Sequence, residues 1–125
     1  MEEELKKRIA DSTKYICKQY QEVIALLDPL AASSPVLQQY LQQAGSVLRY
    51  AEAHYQNASS IDLALCKQRH DPARLLSEVE SRFRAQEQGF YPAYPNAQFR
   101  EQLSTHFAAA RDSFNTLEEV LSAIS

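Results

Sequence analysis

Ile9, Thr13, Ile16, Tyr20, Val23, Leu27 and Leu30 follow one another at alternating steps of four and three. Each residue turns about 100° round an α-helix, so these steps hold one face in line for about five turns. A β-strand cannot use the pattern, because its side chains alternate every two residues. The same steps return in Leu37, Leu41, Ala44, Leu48, Ala51, Tyr55 and Ala58. They return again in Leu103, Phe107, Ala110, Phe114, Leu117, Leu121 and Ile124. Three long amphipathic stretches with short connections predict an all-α fold, a single-domain antiparallel helical bundle of four or five helices spanning residues 1–125.

The boundaries carry their own chemistry. Glu2, Glu3 and Glu4 open the first helix, where the helix dipole favours negative charge. Pro29 is expected to push Asp28 out of the helical region and end that helix nearby. Ser34 and Pro35 form a start signal, serine as cap and proline as first helical residue. Beyond Ala58 the second stripe loses phase, since its next positions would be Asp62 and Arg69. Ser59, with Asp62 three residues later, reads as a capping box for a short separate helix over 61–70. Asp71 and Pro72 repeat the start signal for a segment that buries Leu76, Val79 and Phe83. Gly89 is expected to end it in a left-handed conformation, and Asn96 to cap the last helix.

Composition narrows the function classes. At 125 residues the chain buries enough surface to need no disulfide or metal. Its net charge of −3 offers no general attraction to nucleic acid. Residues 29–48 are uncharged, but Pro35, the serines and the glutamines exclude a membrane span. The N-terminal stretch lacks the apolar core of a signal peptide, and Cys17 and Cys66 have no framework spacing, so a cytoplasmic protein is expected. Cys66 and His70 stand four apart, the spacing of half a zinc site, but no second pair completes it, so a buried thiol and a solvated histidine are expected. Glycines only at positions 45 and 89 leave no phosphate-cradling loop, and no cofactor is expected.

Two short patterns carry enzymatic alternatives. The run AHYQNASS, residues 53–60, resembles the signature of histidine phosphotransfer domains, themselves helical bundles. His54, Ser59 and Ser60 match, while Asn57 replaces the lysine and Ala58 the glycine of that signature. The resemblance implies a phosphoacceptor at His54, deprived of the cation that offsets phosphoryl charge. The competing expectation puts His54 half-buried beside Tyr40 and Val47. Arg100 and His106 are similar in spacing to the arginine–histidine pair of HEPN ribonucleases, which implies a composite site at a dimer seam.

The remaining signals point to a partner. On the polar face of the second helix lie Gln39, Gln42, Gln43, Ser46, Tyr50, Ala53, Gln56 and Asn57, with Arg49 the main charge. Amides and a tyrosine are covered at lower cost than ions. Residues 88–100 read QGFYPAYPNAQFR, with Phe90 and Phe99 expected inward as core plugs. Tyr91 and Tyr94 each precede a proline that restrains them, and they are expected outward as contacts. The expected function is non-enzymatic: a protein–protein interaction module that serves as adaptor, assembly subunit or chaperone, its partner another protein or a second copy of the chain. The expected partner-binding residues are Tyr91, Tyr94, Gln39, Gln42, Gln43 and Tyr50.

Overall fold

The first stripe folds as α1, Glu2–Leu27, with Ile9, Thr13, Ile16, Tyr20, Val23 and Leu27 buried along one side. The computed structural model describes the backbone of residues 2–69, 71–90 and 97–124, and their side chains apart from 69, 71 and 86–90. Pro29 does end the α-helix, but the chain keeps helical geometry by tightening into a 3-10 segment, Asp28–Ser33. Proline is tolerated there because its missing N–H is among those a helical first turn leaves unpaired. Ser34 then caps α2, Pro35–Tyr55, its hydroxyl accepting from the Leu37 amide at 3.2 Å. Gln38 Nε2 donates back to the Ala31 carbonyl at 2.7 Å and fixes the corner.

α2 stops at Tyr55, a turn before the stripe would end at Ala58. Asn57 closes a short 3-10 turn, Ala58–Ser60, by accepting from the Ser59 amide. The cap of α3, Leu63–Arg69, is therefore Asp62 and not Ser59. Asp62 Oδ1 accepts from the amides of Ala64 and Leu65 at 3.0 and 3.2 Å. A carboxylate outcompetes a hydroxyl at this position because it answers the helix dipole as well as the unpaired amides. α4, Asp71–Phe90, runs through Gly89 instead of ending there. A helical glycine costs only about 1 kcal/mol, which packing elsewhere on the helix outweighs. α5 spans Ala97–Ser122; Asn96, the expected cap, lies outside the described residues.

Among the described residues there are five α-helices and no strand. α1 packs against both α5 and α2, α2 against α4, and α4 closes the ring on α5. Neighbours run antiparallel: Gln21 meets Glu52 across α1 and α2, and Glu80 meets Arg111 across α4 and α5. α3 lies at one end of this four-helix ring, against α4 and α5. Across α4 and α5 the rings of Phe83 and Phe107 also meet, with centroids 4.8 Å apart. Tyr20 and Tyr40 are also wholly buried, and Tyr40 donates to the Val79 carbonyl at 3.3 Å. Phe99 is half-buried against the core, as expected of a plug, while the side chain of Phe90 lies outside the described residues. No helix among the described residues is long and apolar enough to cross a membrane.

Candidate interaction face

The inner side of α2 is settled by Leu37, Tyr40, Ala44, Leu48, Ala51 and Tyr55, all buried. Its outer side follows from the same 100° step, and it carries Gln39, Gln42, Ser46, Tyr50, Ala53 and His54, all exposed. Gln43 sits at the edge and is half-buried, accepting from Arg82 Nη1 of α4 at 3.1 Å. Among the described residues the side chains of Gln39 and Gln42 make no hydrogen bond, so both amides face solvent. Arg49 and Glu52 are the only Asp, Glu, Lys or Arg on α2: Arg49 is exposed on this outer side and donates to Ser46, while Glu52 lies toward α1 and accepts from Gln21. Tyr50 is 46% exposed, an unusual degree for so large a ring.

His54 is exposed rather than half-buried beside Tyr40 and Val47. It lies about 80° from the centre of the buried face, where Tyr40 lies about 40° from it. Its imidazole stacks on Tyr50, with ring centroids 4.2 Å apart, and the two rest near the buried ring of Tyr55. That i, i+4 contact was available from the spacing, as was the exposed Val36, and both extend the expected face. α2 ends one residue after His54, so Asn57 and Ala58 leave the helix and do not flank the imidazole as the phosphotransfer signature requires.

Beside this face, α1, the 3-10 corner and α2 enclose a groove of about 710 Å³ that Gln39 and Gln42 line with Ile24, Asp28, Leu41 and Gly45. A second groove of about 480 Å³ lies further along α1 and α2, between Lys14, Lys18, Glu52 and Gln56, with Cys17 at its floor. Burial pushes the Cys17 thiol up to about 11, and a hydrogen bond from the Gln56 side chain offsets only part of that. A thiol held protonated in this way is not a nucleophile near neutral pH.

The other expected residues are dispersed. His106 Nδ1 lies 2.8 Å from Gln19 Oε1, half-buried between α5 and α1. Arg100 is exposed and, six residues earlier, lies about 120° away round the same helix. One chain therefore does not bring the pair to a common face. Cys66 is buried, His70 lies outside the described residues, and no cluster of three metal-ligating side chains occurs among the described residues. Tyr91 and Tyr94 also lie outside the described residues. Of the expected partner contacts, Gln39, Gln42, Gln43 and Tyr50 come together on one side of α2. No family model matches the chain, and neither a curated protein nor a solved structure matches it.

Proposed function

We propose that the chain is a non-enzymatic helical interaction module that docks a polypeptide on the outer face of α2, as an adaptor, assembly subunit or chaperone does. The observation that carries this reading is an exposed helix face rich in amides from Val36 to His54, on which Arg49 is the main charge, with the Tyr50–His54 stack exposed at its C-terminal end. Desolvating an ion costs far more than covering an amide or a ring, and interface centres are depleted of charge and enriched in tyrosine. The surfaces of α4 and α5 are more highly charged, with an exposed Glu78–Arg82 pair and Glu80 paired to both Arg84 and Arg111.

The test is affinity capture from the native cell with the parent chain and with Tyr50→Glu, whose site is exposed enough to leave the fold intact. The expected result is a polypeptide held by the parent and lost by the variant at unchanged melting temperature. Identical capture by both would overturn the reading.

A second reading, phosphoryl acceptance at His54, draws on the exposure of that ring. Incubation with acetyl phosphate is expected to leave His54 unmodified, since no lysine stands beside it. Acid-labile phosphate that disappears in His54→Gln would reverse the order of the two readings.

A further inference from the structure

We draw no further inference here: the strongest candidate, the groove of about 750 Å³ between α4 and α5 that Glu80, Arg84 and Arg111 line with Phe114 and Asn115, carries nothing because Glu80 already pairs with both arginines and nothing in the structure shows what else would bind them.

Discussion

Tyr20→Phe should stabilise the protein. The Tyr20 ring is wholly buried, 6.0 Å from Phe107 and 6.3 Å from Phe114 between centroids, yet its hydroxyl has no hydrogen-bond partner. Phenylalanine keeps the ring and its contacts and removes only the oxygen, so no cavity of consequence is opened. A buried polar group without a partner costs about 1–3 kcal/mol, which the substitution returns. Unfolding entropy of about 2.1 cal/mol/K per residue gives ~0.26 kcal/mol/K for a chain of this length, so the melting temperature should rise by about 4–11 °C. Tyr40→Phe is the matched control. Its hydroxyl does have a partner, the Val79 carbonyl at 3.3 Å, so the same chemical change should cost about 1 kcal/mol, or ~4 °C.

Alkaline pH sharpens the comparison. Burial, with the Glu80 carboxylate and Tyr40 nearby, drives ionisation of Tyr20 well above the usual tyrosine range. The folded state then keeps a proton that the unfolded state loses above about pH 10. Stability from this group is complete below that pH and falls as pH rises beyond it. Phenylalanine has no proton to lose, so the advantage of Tyr20→Phe should be larger at pH 10.5 than at pH 7. Scanning calorimetry at both pH values reads it. A melting temperature equal to or below the parent's at pH 7, with Tyr40→Phe no worse, would show that the Tyr20 hydroxyl is satisfied and refute the reasoning.

Cys17, with its thiol raised from 9.0 to about 11, contributes stability that is present below pH 9 and lost between pH 9 and 11, on the order of 3 kcal/mol; urea melts of the parent should decline across that window and those of Cys17→Ala should decline less. The same thiol should resist iodoacetamide at pH 7.5 until the protein is unfolded. Asp62→Ala should cost about 1 kcal/mol through loss of the α3 cap, whereas Ser59→Ala should stay within about 0.5 kcal/mol, because Ser59 bonds only Asn57 on an exposed turn. Equal losses from the two would return the cap to Ser59.

The core was legible because burial and helical period are one signal. Leu37, Ala44, Leu48 and Ala51 on α2, and Leu103, Phe107, Ala110, Leu117 and Leu121 on α5, are all buried where the 4-3 steps put them. Tyr40 and Val120 fell outside the stripes yet are wholly buried, because a bundle helix buries an arc wider than the narrow seam those steps trace. Capping was legible at Ser34, where a proline follows, and ambiguous at Ser59 and Asp62, where two capable residues compete within four positions. Exposure of His54 was not legible, since a residue at the edge of the buried arc goes in or out according to where the next helix lies. The amides of Gln39 and Gln42 and the ring of Tyr50 could be placed together from spacing alone, because they share one helix. Arg100 and His106 could be separated on the same ground, since six residues leave them about 120° apart round α5.

α2 therefore carries the same 4-3 repeat twice, once inward in Leu and Ala and once outward in Gln, Ser and Tyr. The inner copy is buried on folding because apolar area gains about 25 cal/mol per Å² on leaving water. The outer copy gains little by that route, since a glutamine amide exchanges bonds with water for bonds of similar strength. A leucine-built outer stripe of the same length would be an exposed apolar patch that associates without selectivity. An amide-built one stays hydrated when alone and is covered only by a surface that returns its hydrogen bonds and fits around Tyr50. The chemistry that keeps this face compatible with solvent would thus also make the proposed association weak, selective and reversible.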